Sequence, residues 1–365
     1  MIKKRLSTSF HHTNFTLKKP EVSFATPLSD EAKYICFTSE IQKYESRFEL
    51  SSRKCHFQQI GLLFLLTFLA KLLPMNVFFR NCLAGLSILF AVFFGSSCQP
   101  DASNGQPLAD TTMLNVSYGN HPRQVYDLYL PAARSSSTPT VVLIHGGAWQ
   151  AGQKEEMNNW VGLIKNQWPQ AAILNVNYRL ANAQQGIHHA EITNDISQAL
   201  SQYHARRNEY RVSGKVGLMG ASAGGHLAML QAYTQNQQGQ IQCVSNLFGP
   251  SILNDWSWYN SNNPWLGGYV GDVIALYAGA TWDTTLYKSI SPYSRVAVGS
   301  VPTILFHGSL DPIVPLYQSQ WMHGRLNQMG IPTAFHEYPA FHSFDANQSA
   351  DVCQKTVAFF KAHFN

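Results

Sequence analysis

Gly220-Ala-Ser222-Ala-Gly224 sets a serine two positions from a glycine on either side, directly after the apolar run ending at Met219 and directly before a helix-forming stretch. A serine on so sharp a strand-to-helix turn is forced into strained backbone angles, and only small neighbours let the chain close around it. Such a serine sits at a helix N-terminus, where free N–H groups favour developing negative charge. A free hydroxyl is a poor nucleophile near neutral pH, so it needs a base, and the base needs an orienting carboxylate. Asp311, in Phe306-His-Gly-Ser-Leu-Asp311-Pro, follows a buried strand at the sheet edge the serine turn faces, and His342, in Tyr338-Pro-Ala-Phe-His342, precedes the last helix. Asp345 and Glu337 are rival acids, and His336, His323 and His307 rival bases. His336 falls within a strand-like run, His323 within a helix and His307 too near Asp311, so each is read as structural. Upstream, His145-Gly146-Gly147-Ala148-Trp149 follows another buried strand. Glycines there can turn backbone N–H groups into a site, which makes Gly147, Ala148 and Ala223 the candidate donors to an oxyanion. His188, His189 and Glu191 have no third-ligand spacing, so they read as a solvated helix start rather than a metal site.

These residues need a rigid frame. From Thr111 on, apolar runs of strand length alternate with amphipathic stretches, the pattern of a mostly parallel sheet covered on both faces, an α/β fold. Met113 to Tyr118 and Gln124 to Leu130 read as an opening hairpin. Thr140 to Ile144, Ala171 to Val176, Val216 to Met219, Cys243 to Phe248 and Thr303 to Phe306 read as buried strands. Helices are expected near Glu155 to Asn166, Glu191 to Arg207, Ala223 to Thr234, Leu316 to Met329 and Asp351 to His363. Residues 250–296 fit neither period for long, and a segment of this length in a compact domain is expected to be a lid or pocket insertion. Its Trp256, Trp258, Tyr259, Trp265 and Tyr269 could line an acyl or aromatic pocket, although any one of them alone more readily packs the insertion onto the body. Trp149, Trp256, Trp258 and Trp265 form the candidate substrate-binding set.

Charged residues are 13% of the chain, about half the usual globular share, while apolar residues reach 45%. The net charge of +5 belongs to the leader: residues 1–97 hold 12 Lys/Arg against 6 Asp/Glu, and the rest holds 14 against 15. A nearly neutral body excludes the basic stripe of a nucleic-acid binder. Residues 60–73 and 83–94 are apolar but shorter than the roughly 20 residues a spanning helix needs. The second run, after Met75 and Arg80 and before Gly95-Ser-Ser-Cys98, reads as a signal peptide over residues 75–98 and resembles a bacterial lipoprotein cleavage site, with Cys98 as the lipidated residue. Gly95 stands where leucine is usual. On this reading Met75 is the true start, residues 1–74 are a leader foreign to the product or without fixed structure, and the protein is exported, periplasmic or membrane-anchored. The competing reading makes residues 60–94 a membrane hairpin or anchor. Residues 99–110 read as a tether and 111–365 as the folded domain. Cys243 and Cys353 could pair in an oxidising compartment, but free buried cysteine is the commoner state.

Taken together, the serine turn, the His145–Trp149 loop, Tyr126-Asp-Leu-Tyr-Leu-Pro131, Asn177-Tyr-Arg-Leu180 and Ser291-Pro-Tyr-Ser294 resemble the α/β-hydrolase esterases with an H-G-G-x-W loop. These are similar to hormone-sensitive-lipase-like and bacterial feruloyl-esterase-like proteins. The resemblance implies a Ser, Asp, His order for the triad, filled by Ser222, Asp311 and His342, and hydrolysis of carboxylic esters through an acyl-enzyme without a cofactor. Its implied substrates are small-molecule or polysaccharide-linked esters, and His-Gly-Gly-Ala-Trp in place of three glycines leans toward the feruloyl-esterase-like side. An amidase, arylformamidase or exopeptidase on the same triad, and a binding module without catalysis, are the competing readings.

Overall fold

A computed structural model describes residues 108–364. The expected leader, signal peptide and Cys98, and most of the tether, lie outside the described residues.

Eight strands form one sheet: β1 (Thr111–Ser117), β2 (Val125–Leu130), β3 (Thr140–Ile144), β4 (Ala172–Val176), β5 (Val216–Ala221), β6 (Ile241–Leu247), β7 (Thr303–Gly308) and β8 (Thr333–Tyr338), in the order β1-β2-β4-β3-β5-β6-β7-β8. Pairing is antiparallel from β1 to β2 and from β2 to β4, and parallel through the remainder. The strand-like run before His342 is thus the edge strand β8. The opening hairpin bends at Asn115, which takes a φ of 54° and donates its N–H to Asp127 Oδ1 at 2.8 Å. That bulge shifts the register between Met113 and Val116.

Why the inner strands read as unbroken apolar runs follows from two-sided burial. In β3, Val142 and Ile144 face one apolar cluster, and Val141 and Leu143 face the other. The first face is covered by α2 (His189–Ala205), α3 (Ala223–Thr234) and α5 (Tyr317–Gln328), and the second by α1 (Asn158–Gln167) and α6 (Ala346–His363). Each such side chain withdrawn from water contributes roughly 1.5–3 kcal/mol before chain entropy opposes it. Cys243 and Cys353 share the second cluster as free thiols, and burial pushes both up in pKa.

Helix α6 begins at Ala346, five residues before the expected start. Asp345 caps it, accepting the Gln348 N–H at 2.8 Å while the Gln348 side chain returns to the Asp345 N–H at 3.0 Å. The insertion at 250–296 contains α4 (Val270–Ala278), several one-turn helices and a two-residue ribbon pairing Asn262–Asn263 with Gly268–Tyr269. Short capped turns of this kind show neither sequence period.

Between β3 and α1, the backbone runs through a 3-10 turn at Lys154–Met157. Lys154 is only 2% exposed; its Nζ meets Asp127 Oδ2 at 2.9 Å and Glu155 Oε1 at 2.5 Å. Burial alone would push the Lys154 ammonium down in pKa, but hydrogen bonds to the two carboxylates outweigh it and hold the pKa above its ordinary value. Asn175 and Asn177 fix the same turn, donating to the Lys154 carbonyl and accepting its N–H at 2.7 Å each. Asp127→Ala strands a buried ammonium with one half-exposed partner. Chemical unfolding of that variant is expected to show a loss of about 3 kcal/mol; an unshifted midpoint would show that the pair carries no stability.

Candidate active site

Ser222 stands between the end of β5 and the start of α3, at φ 54° and ψ −122°. Its N–H donates to Leu247 O at 2.8 Å, which ties the turn to the neighbouring strand. The flanking glycines are required sterically. A Cβ on Gly220 would lie 2.2 Å from the Gly224 carbonyl oxygen, and one on Gly224 would lie 2.1 Å from that of Ile144. Both obstacles are backbone, so neither can swing aside.

His342 and Asp311 arrive on the loops that follow β8 and β7. His342 Nε2 lies 2.8 Å from Ser222 Oγ, and Nδ1 lies 2.6 Å from Asp311 Oδ2. An ionised carboxylate only accepts, so Nδ1 carries the proton and Nε2 is left to accept from the serine hydroxyl. The Asp311 side chain is fully buried, with Oδ1 accepting the N–H groups of Ile313 at 2.8 Å and Val314 at 3.0 Å. Burial alone would raise its pKa, yet hydrogen bonds from His307, His342 and the Ile313 backbone hold it well below the usual carboxylate range. Phe248 packs on the His342 ring at 4.7 Å between centroids.

The rival groups are placed elsewhere. Asp345 caps α6, His323 Nδ1 meets Thr333 Oγ1 at 3.2 Å, His336 stacks on Phe306, and Glu337 sits on the edge strand β8. His307 is buried and bonds Val314 O through Nε2, yet that nitrogen also lies 3.3 Å from Asp311 Oδ2, so its position beside the acid is a contact with the site. His188 and His189 donate through Nδ1 to the carbonyls of Leu276 and Ala278. No group of three metal-ligating side chains occurs among the described residues.

The loop after β3 runs against the serine: a Cβ on Gly146 would sit 3.1 Å from Ser222 Cβ. Gly147, Ala148 and Ala223 line one cavity of 650 Å³ with Ser222 and His342. Of the aromatic set, Trp258 and Trp265 reach this cavity, and Trp149 borders it while staying 3% exposed. Trp256 does not reach it. Asp255 caps a one-turn helix at Trp256–Tyr259, and residues two apart on a helical turn point to opposite sides, so Trp256 packs instead on Tyr259 and Trp282. Trp258 Nε1 donates to Ile313 O at 3.2 Å and Asn263 Nδ2 to Pro312 O at 2.7 Å, which moors the insertion to the loop carrying Asp311.

Sequence reasoning missed Val270, Val273 and Ile274 of α4, Ile313 beside the acid, and Met157 and Trp160 on the opposite wall. The insertion members belong to one apolar cluster and Met157 and Trp160 to the other, so the cavity opens over the sheet edge between the two layers. A cavity assembled from both faces of a sheet has no linear signature.

Residues 126–326 match the family described as BD-FAE. Esterase LipC of Mycobacterium tuberculosis is 26% identical over 248 residues, which cover 63% of this chain and 59% of LipC. Isoprenylcysteine alpha-carbonyl methylesterase ICME of Arabidopsis thaliana is 29% identical over 238 residues, 59% of this chain and 52% of that protein. The chain thus spans between half and two thirds of the length of these relatives. Among solved structures, a truncated carbohydrate esterase from gut microbiota superposes with a TM-score of 0.58 at 20% identity, over 69% of this chain and 96% of its own. The native form of esterase Est2 from Thermogutta terrifontis gives 0.54 at 19%, over 70% and 91%. At such identities the superpositions establish the fold, an α/β-hydrolase sheet. Because the family match spans more than half the sequence and includes both the serine turn and the loop bearing Asp311, the chain belongs to the BD-FAE family.

Proposed function

We propose that this protein is a serine hydrolase of carboxylic esters, working through an acyl-enzyme with Ser222, His342 and Asp311 as its triad. The observation that carries the reading is the continuous chain Ser222 Oγ, His342 Nε2, His342 Nδ1, Asp311 Oδ2, with separations of 2.8 and 2.6 Å across the two hydrogen bonds. Ser222 Oγ attacks the acyl carbon as His342 Nε2 takes its proton, and the imidazolium is held by Asp311. The oxyanion is met by the N–H groups of Gly147, Ala148 and Ala223. The tetrahedral species collapses when His342 returns the proton to the departing alkoxide, leaving the acyl group on Ser222. Water then repeats the cycle, with His342 as base, and frees the acid.

Trp258, Trp265 and the α4 side chains give the cavity an apolar wall, which suits acetyl, short aliphatic or feruloyl esters of a small alcohol or a polysaccharide. Several relatives carry esterase or methylesterase names, which supports ester over amide. An amidase reading draws on kynurenine formamidase of Salmo salar, 29% identical over 131 residues, 36% of this chain and 42% of that protein. Export with lipid attachment at Cys98 rests on sequence alone, and the intact mass of the natural product decides it.

The test is a panel of p-nitrophenyl acetate, butyrate and ferulate beside N-formylkynurenine, with mass mapping of a fluorophosphonate probe. Labelling at Ser222 and turnover of the esters above the formamide is expected. Labelling at another residue removes the triad, and preference for the formamide replaces the esterase reading with the amidase one.

A further inference from the structure

The loop facing Ser222 is held in an expensive shape. Gly147, Ala148 and Trp149 take φ values of 102°, 51° and 63° in succession, and two of the three carry side chains. Each such residue costs of order 1 kcal/mol or more unless its surroundings impose it. Trp149 is where the surroundings act. Its carbonyl accepts the Ala181 N–H at 2.8 Å, and its buried indole stacks on Tyr277 at 4.4 Å and 18°. The indole Nε1 donates to His226 Nδ1 at 3.3 Å, with the two rings edge to face at 5.1 Å. His226 in turn meets Tyr277 edge to face at 5.4 Å. Three rings from three elements therefore close on one another: the loop after β3, helix α3 behind Ser222, and helix α4 of the insertion.

The hydrogen bonds of His226 leave one nitrogen for this contact. It lies one helical turn beyond Ser222, and its Nε2–H donates to Ile290 O at 2.8 Å, which leaves Nδ1 with a free lone pair for the indole. Complete burial pushes the imidazole down to about 4, so it remains an acceptor at neutral pH. No step of the proposed reaction uses it.

We infer that His226 is a positioning residue for oxyanion stabilisation: through its hydrogen bond to Trp149 it sets the loop whose Gly147 and Ala148 N–H groups meet the transition state. The inference rests on the esterase reading, and it makes the nucleophile's own helix the ruler for the oxyanion donors. It also assigns the insertion a part in catalysis, because Tyr277 backs the indole from α4, whose last carbonyls are bound by His188 and His189.

The experiment compares His226→Phe, His226→Asn and Trp149→Phe in the full-length protein, with kcat expressed per fluorophosphonate-labelled site and Ki measured for phenylboronic acid, whose serine adduct places an oxygen where the oxyanion forms. Losing one oxyanion donor outright costs about 10²–10³ in kcat, and a displaced loop is expected to cost about 10- to 100-fold. His226→Phe keeps the ring and removes the acceptor, so kcat should fall by that factor at nearly constant KM, with the boronate Ki rising in parallel. His226→Asn puts a carboxamide oxygen near the Nδ1 position and should recover much of the loss. Trp149→Phe keeps an aromatic ring against Tyr277, removes the donor, and decides the matter should His226→Phe not fold. Unchanged kcat per labelled site in Trp149→Phe or His226→Phe, or a fall without the boronate effect, overturns the inference. A wild-type Ser222 that takes no probe would instead overturn the esterase reading beneath it.

Discussion

Ser222→Ala is expected to lower kcat on p-nitrophenyl acetate by about 10⁵- to 10⁶-fold while leaving the fold intact. On the proposed mechanism the expected size follows from removing a nucleophile that acts as one unit with its base, since loss of either partner costs about as much as loss of the whole triad. Stability should barely change, because the Ser222 hydroxyl has its hydrogen bond only to His342, and the turn is fixed by backbone groups: the Ser222 N–H on Leu247 O and the His226 N–H on Ser222 O. Residual hydrolysis from the oxyanion donors and binding alone should remain measurable above water. The assay is a rate per mole of protein alongside a thermal unfolding curve superposing on wild type. Activity within tenfold of wild type would mean that another side chain attacks the ester.

Much of the frame and most of the side chains that converge at Ser222 could be read from the sequence, for separable reasons. Two-sided burial writes strands as apolar runs, so β3 to β7 emerge directly, and the glycines of the serine turn are needed for steric reasons that hold before any coordinates exist. The elements least visible were those whose formation depends on local side-chain bonds. Asp345 and Gln348 start α6 five residues early by capping each other, and Asp255, Asn263 and Asp283 start the insertion's turns in similar ways. Trp256 and Trp258 show the limit for single aromatics: composition puts both in the insertion, but only the phase of a one-turn helix turns Trp258 to the cavity and Trp256 away. His226 was hidden for a related reason, whereas His307 was named as a rival base and set aside as too near Asp311 in sequence, the nearness that brings its Nε2 to 3.3 Å from the acid. A histidine inside a helix reads as packing, and the contact of His226 with Trp149 exists only once distant segments meet.

Asp311→Asn carries the second large effect, an expected fall of about 10⁴ in kcat, and its cause lies in which way the amide must face. Oδ1 accepts two backbone N–H groups, from Ile313 and Val314, and an amide nitrogen there would oppose two donors. The carboxamide therefore keeps its oxygen on that side and turns its NH₂ toward His342 and His307. His342 Nδ1 must then accept, its proton moves to Nε2, and the nitrogen facing Ser222 Oγ becomes a donor that cannot take the serine proton. Fluorophosphonate labelling of Ser222 should slow in step with kcat, because both need that proton removed. Stability responds with a definite sign. A carboxylate held below its unfolded pKa of about 3.9 stabilises the fold above that pH and loses the contribution as pH falls through the lower folded value. The variant should therefore be less stable than wild type at neutral pH, with the gap closing as acid protonates the wild-type group. An asparagine variant that labels at the wild-type rate would show that His342 is oriented by something other than Asp311.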